Sequence, residues 1–284
     1  IYGSRAANGV IIITTKKGKD GKLKVDLDAS VAASMYSHKM DVLNAKEFGQ
    51  VMWQGYVNDG MDPNTNGLGY HYDWGYNAQG QAVLNGITMK KYLDDAGTTP
   101  AADTDWYDQT TRTGVIQNYN VSVSNGSQKG SSYFSLGYYK NLGIIKTSDF
   151  ERFSARFNTE YKLIDDKLTI GEHFTLNRTS EVAAPGGFLQ NVLQFNPSLP
   201  VYTTTGGYAG PVGGYPDRYN PVAVLERNKD NRYTFWRTFG DAYVNLNLFK
   251  GFNLRSTFGI DYSQKQQRIF TYPVTEGNVA NKTN

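Results

Sequence analysis

Residues 151–163 read "ERFSARFNTEYKL". The odd positions hold Phe153, Ala155, Phe157, Thr159, Tyr161 and Leu163. The even positions hold Arg152, Ser154, Arg156, Asn158, Glu160 and Lys162. A period of two is the signature of a β-strand. One face is apolar and uncharged, and the other carries nearly every charge. No other feature constrains the chain as tightly.

The pattern recurs. In 23–36, Leu23, Val25, Leu27, Ala29 and Val31 oppose Lys24, Asp26, Asp28 and Ser30. Similar sorting covers 115–124, 131–140, 167–179, 234–249 and 252–263. These segments predict about seven strands, several near a dozen residues long. Ordinary strands run about 5–6 residues, whereas tilted membrane-crossing strands need about 9–11. Sandwich strands alternate too, so length and connections must separate the two. The connections alternate in size: 37–114 and 180–233 are long, while 125–131, 164–167 and 250–251 are short. In a meander every second connection lies on one rim. One rim therefore has tight turns and the other long loops, as in outer-membrane barrels.

Charge placement agrees. A Lys or Arg facing lipid at mid-membrane costs about 2–4 kcal/mol, and the apolar faces keep both out of their central stretches. Glu172 is the exception, on the apolar parity of its strand; either it sits at an interface or the register slips there. Charges on the other face need water, which implies a wide wet lumen.

Composition narrows little else. The formal net charge of +3 is too balanced for nucleic-acid binding, and the absence of Cys excludes disulfides and thiolate chemistry. Aromatic content is 14%, with 21 Tyr, which suits surfaces that meet both apolar and wet surroundings.

The opening stretch "IYGSRAANGVIIITTKKGK" pairs an Asn8-Gly9 turn signal with a continuous apolar run, Val10 to Ile13. It resembles, nearly word for word, the end of the plug domain in SusC-like TonB-dependent outer-membrane transporters of the Bacteroidetes type. "DWYDQTTRTGVIQNYNVSVSNGS" at 105–127, "YFSLGYYKNLGIIKTSDFERFSARFN" at 133–158 and "LTIGEHFTLNRT" at 168–179 resemble the same family. The resemblance implies that 1–20 ends a plug and that 21–284 begins a transmembrane β-barrel. The fold expected is all-β: an antiparallel up-and-down barrel, about seven strands out of roughly 22, with long extracellular loops carrying short helices. It further implies import across the outer membrane of a Gram-negative cell, a SusD-like lipoprotein lid and the TonB complex as partners, and a glycan or peptide substrate, glycans placed first. No enzyme activity, nucleic acid or cofactor is expected. The alternatives are a soluble β-sandwich carbohydrate-binding module and a secreted β-rich glycosidase.

Residues with possible chemistry are few. His38, His71 and His173 are scattered. Asp94-Asp95 and Asp165-Asp166 read as turn residues. "DPNTNGLGYHYD" puts Asp62, Asn64, Asn66, Gly67 and Asp73 at EF-hand-like spacing, although Pro63 and a terminal Asp fit calcium poorly. A helix capped by Asn44 is expected before it, and a short one within 187–202, where Leu189, Val192 and Leu193 dock a lid or fold inward. The best ligand candidates are loop aromatics, Tyr70, Tyr72, Trp74, Tyr76 and Trp106, which suit stacking against sugars or peptides; rim packing is the competing role.

Overall fold

The computed structural model describes residues 18, 21–216 and 218–281. The plug assignment of 1–20 therefore lies almost wholly outside the described residues.

In chain order the elements are β1 (Gly21–Ser34), α1 (Ala45–Asn58), β2 (Tyr70–Tyr76), β3 (Ala82–Met89), α2 (Trp106–Thr110), β4 (Gly114–Ser127), β5 (Gly130–Leu142), β6 (Asp149–Leu163), β7 (Leu168–Val182), α3 (Phe188–Gln194), α4 (Pro221–Asn228), β8 (Arg232–Phe249), β9 (Phe252–Arg268), β10 (Val274–Glu276) and β11 (Val279–Asn281). Seven of them form one antiparallel sheet in the order β1-β4-β5-β6-β7-β8-β9. Apart from the excursion between β1 and β4, neighbours in sequence are neighbours in the sheet. This is the meander expected from the alternation, and its strands match the seven segments above.

The register joins the apolar faces into one belt. Leu27, Val121, Leu136, Ala155, Leu176, Thr238 and Tyr262 lie in a continuous cross-strand row. Beside it run Val25, Val123, Phe134, Phe157, Phe174, Gly240 and Ile260. The large side chains in these rows are not covered: Leu136 is 46% exposed, Phe157 43% and Tyr262 58%. Among the described residues no second sheet packs on them, which a sandwich would require.

The tight turns step steadily. Gly130 pairs with Tyr161, two residues short of the end of β6 at Leu163. Leu168 pairs with Leu246, three short of the end of β8 at Phe249. A step of two to three residues, about 8 Å, across two strands, about 9.6 Å, corresponds to a strand tilt of about 40°. That falls in the range of transmembrane barrels, about 35–45°. At this tilt the ten-residue climb from Leu163 to Phe153 raises the apolar band by about 25 Å, the height of such a band in known barrels.

Glu172 is in register with Thr159 and Ala242, so no slip occurs. It stays on the outward face, four strand pairs from the rim row of Leu163 and Leu168, and accepts a hydrogen bond from the Thr159 hydroxyl. Among the described residues β1 and β9 each have one strand neighbour, leaving their outer edges open.

The long connections build a second layer. Its core joins Trp53, Leu68, Tyr70, Tyr72, Trp106, Tyr107, Phe188, Val192, Phe195, Leu199, Tyr215 and Leu225 from every long loop. Helix α1 starts where expected: Asn44 and Glu47 exchange bonds as a capping box, with Glu47 N to Asn44 Oδ1 at 2.9 Å. The segment 37–114 is not simply loop and helix. It also contains the antiparallel hairpin β2–β3, an element the reading of that segment as a long loop did not include.

Candidate functional site

The chain has two candidate surfaces: the polar face of the wall and the loop layer above it.

On the wall the even residues of β6 and the odd residues of β7, β8 and β9 share one face, which the tilt and belt assign to the lumen. It is densely cross-linked. Arg237 grips Asp261 through two bonds of 3.0 and 2.7 Å. His173 Nδ1 lies 3.2 Å from Asp241 Oδ1, and its ring stacks on Tyr243 at 5.7 Å. The Arg255 guanidinium covers the other part of that Tyr243 ring at 3.8 Å, and the Tyr243 hydroxyl donates to Glu160. Gly171 makes room: a Cβ there would stand 2.5 Å from the Tyr243 ring. The ionic and polar side chains hold one another in fixed places, giving a wettable wall with paired charges.

In the loop layer the expected ligand aromatics separate into two groups. Tyr70 and Tyr72, at 4% and 2% exposure, and Trp106, at 3%, are core residues. The alternation Tyr70-His71-Tyr72-Asp73 along β2 drives both tyrosines down onto α1 and leaves His71 and Asp73 outward. Tyr70 donates to Ala45 O at 2.7 Å, Tyr72 to Gly49 O at 3.0 Å and Tyr215 to Leu68 O at 2.8 Å. The Tyr70 and Tyr72 rings stack at 6.0 Å and 18°. Burial pushes the Tyr70 phenol up to about 12, and it pushes Tyr72 and Tyr215 higher as well. These phenols are therefore neutral donors at any physiological pH. A Cβ at Gly49 would lie 2.6 Å from the Tyr70 ring, so the close seating of β2 on α1 needs glycine there. Trp106 Nε1 donates to Asn196 O at 3.0 Å, and its ring meets Phe195 edge-on at 4.7 Å.

Trp74, half-buried against the edge of that core, and Tyr76 form the other group. They meet at 5.5 Å in an edge geometry at the free end of the hairpin, and Tyr76 is 70% exposed. Trp106 returns as part of the wall of a cavity of about 570 Å³, with Leu43, Phe48, Val192 and Phe195; its charged lining residues are Asp41 and Arg218. Sequence reasoning had not placed Asp41, Leu43, Phe48 or Arg218 together, because they come from separate loops. In α3, Val192 folds inward, whereas Leu189 and Leu193 remain outward.

The EF-hand-like loop is a clamp. The Asn64 side chain bonds both the N–H and the C=O of Tyr72, at 2.8 and 3.1 Å. Asn66 bonds Pro63 O, Tyr70 O and Leu68 N. Asp62 caps the short 3₁₀ turn at Pro63–Thr65 by accepting from Asn64 N at 2.9 Å. The amide oxygens that a cation would need are spent on the backbone, and among the described residues no cluster of three or more His, Asp or Glu gathers as a metal site. Asp94 is likewise a turn acceptor. Burial alone would raise its pKa, but bonds from Thr98 and Thr99 outweigh it and hold the carboxyl down to about 2.

The chain is 31% identical, over 98% of its length, to the TonB-dependent receptor SusC of Bacteroides thetaiotaomicron, and 30% identical, over 95%, to the TonB-dependent receptor P26 of Formosa agariphila. It spans about a quarter of those relatives, 26% and 24%. No family model matches. Among solved structures, the RagAB peptide importer in its closed-closed state superposes with a TM-score of 0.65 at 22% identity, covering 93% of this chain and 31% of that one. The open-open state gives 0.64 over the same share of this chain. At that identity the likeness shows the fold. Seven staggered strands, an outward apolar belt and 30–31% identity along nearly all of this chain to a quarter of each of two such receptors agree: the chain belongs to the SusC-like TonB-dependent receptors.

Proposed function

We propose that this chain supplies an arc of the barrel wall and part of the outer vestibule of a TonB-dependent importer in the outer membrane. The observation that carries the reading is the belt. Large apolar side chains stand exposed on one side of seven long strands while ion pairs and hydrogen bonds fill the other. Hydrocarbon outside and water inside is the pair of solvents that accounts for this sorting. The wall breaks no bond in this role. It encloses a path that opens when TonB pulls on a plug, and residues 1–20 would end that plug. A SusD-like lipoprotein would close over the loop layer, where the outward Leu189 and Leu193 of α3 are suited to meet it.

The cargo proposed is an oligomeric nutrient, a glycan first. Trp74 and Tyr76 offer ring faces suited to sugar stacking at the hairpin tip. A peptide is favoured by a different observation. The cavity beside Trp106 is lined by apolar side chains with one acid and one base, which fits an apolar peptide side chain better than a ring of hydroxyls.

The membrane reading is tested in the full-length receptor with paired substitutions. Phe157→Arg and Val31→Arg should cut the amount assembled in the outer membrane severely, and Ser154→Arg and Ser30→Arg should leave most of it. Equal losses on both faces would defeat the assignment of lipid and lumen. Uptake by a Trp74→Ala/Tyr76→Ala receptor separates the cargoes: oligosaccharide uptake should fall while peptide uptake persists.

A further inference from the structure

We propose that the outward face carries a binding site for a phosphorylated, acylated membrane lipid, with Arg178 holding the phosphate and a groove beneath it holding an acyl chain. The proposal rests on the reading that this face meets hydrocarbon.

The groove, about 490 Å³, lies between Leu136, Phe153, Leu176 and Trp236, with the small Ala155 at its floor. Ala155 sits in register between Leu136 and Leu176, so a short side chain is flanked by tall ones on both neighbouring strands. A dip of this shape in an otherwise bulky belt accepts a flexible chain. The strands that carry Leu136, Phe153, Ala155, Leu176 and Trp236, β5 to β8, each have a neighbour on both sides, and the edge strand β1 adds only Leu27 at the groove's far margin.

Arg178 stands at the head of the groove. It is ten residues along β7 from the tight turn at Leu168, which places it about 25 Å above that rim at the strand tilt, the headgroup level of the leaflet on the long-loop side. Its guanidinium lies 5.6 Å from the centre of the Trp236 ring, a basic group steadied by an interfacial aromatic. Its ionic contact with Glu151 is 3.7 Å, too long for a hydrogen bond, so its N–H fork keeps capacity for a better acceptor. Glu151 in turn accepts from the Tyr138 hydroxyl at 3.2 Å.

The charge of the surrounding rows matches an anion. By register Lys140, Asp149, Glu151, Arg178, Arg232 and Arg268 share the outward face at this level. Arg232 and Asp149 satisfy each other through bonds of 3.1 and 3.0 Å. Two cations, Lys140 and Arg178, then flank the single carboxylate of Glu151, while Arg268, three strands away on β9, stands beside Tyr272 and its partner Asp230. A basic, aromatic-edged rim above an apolar groove suits a phosphate above a hydrocarbon chain. Glu172, lower on the same strand, is the wrong charge and too deep for a headgroup.

The test uses the full-length receptor extracted in detergent and titrated with diphosphorylated lipid A, the phosphorylated amphiphile of an outer leaflet, or with its dephosphorylated form, adducts being read by native mass spectrometry. The wild type should bind one phosphorylated molecule in preference. Arg178→Gln should weaken that binding roughly tenfold, the worth of one charge-assisted contact. It should also erase the preference for phosphate. Ala155→Phe should reduce both lipids, and Arg255→Gln, on the lumen face, should change neither. If Ala155→Phe fails to assemble, Arg178→Gln at the rim still decides. Undiminished binding by Arg178→Gln, equal affinity for the dephosphorylated form, displacement by inorganic phosphate alone, or a second membrane protein co-purifying on this face with the lipid absent would each overturn the site. A receptor that stays monodisperse without detergent sinks the membrane reading itself; one that needs detergent but ignores phosphate sinks only this site.

Discussion

The wall and the loop layer use the same side chains to opposite ends. In the wall, Phe157, Leu136 and Phe258 stand open on the surface of the protein. In the loop layer, Tyr72, Tyr70 and Trp106 are sealed in a core. Both regions place a tyrosine over a glycine, Tyr243 over Gly171 and Tyr70 over Gly49, because a ring can approach a backbone only where no Cβ intervenes. Yet Tyr243 is held between polar side chains, the His173 ring and the Arg255 guanidinium, while Tyr70 is held by a backbone carbonyl and apolar neighbours. The loop layer folds as an aqueous domain does, by burying rings. The wall has no such core, and its stability must come from strand pairing and from the solvent against each face.

Substitutions can break that contrast. The largest effect is expected from Trp106→Ala. It empties the centre of the loop layer, costs about 3–5 kcal/mol, and should raise hydrogen exchange across 44–76 and 188–215 while the wall strands stay protected. Loss of protection in the wall as well would show that the two layers fold as one. Next is Glu172→Leu. Removing a carboxylate from the lipid side should stabilise the receptor against urea in bilayers, by up to about 2 kcal/mol, whereas the same change to a core carboxylate such as Glu276 would destabilise through the stranded Arg227. Asn44→Ala removes one half of the capping box and should cost about 1 kcal/mol, confined to α1. The smallest effect concerns acid. The Asp94 carboxyl is held below its usual value, so its contribution is fully present above about pH 4 and is lost as pH falls towards 2. Proteolytic nicking of 94–99 should therefore begin in that window, and Asp94→Asn should open the turn already at neutral pH.

Much of the wall was legible in the sequence for a physical reason. When each face meets its own solvent along the whole strand, alternation is long and clean, and 151–163 states it without interruption. The loop layer obscures its own pattern. Tyr70 and Tyr72 alternate with His71 and Asp73 in the same way, but tyrosine is at home in water as well as in a core, so its periodicity does not announce burial. What covers those rings is α1, about 25 residues away, and no local pattern records that contact. Asn64 and Asn66 have the composition of a cation loop, and only the backbone of β2 reveals where their amides are spent. The helices were readable where caps marked them, as at Asn44, and α3 appeared within its expected segment but shorter.

The stagger of the tight turns has a last consequence. The membrane holds those turns near one level, yet the strands lengthen from 13 residues in β5 to 15 in β6 and β7 and 18 in β8. The surplus of three to five residues, about 7–12 Å of height at the strand tilt, can only project outward. The rim of this arc is thus a parapet, low beside β5 and high beside β8.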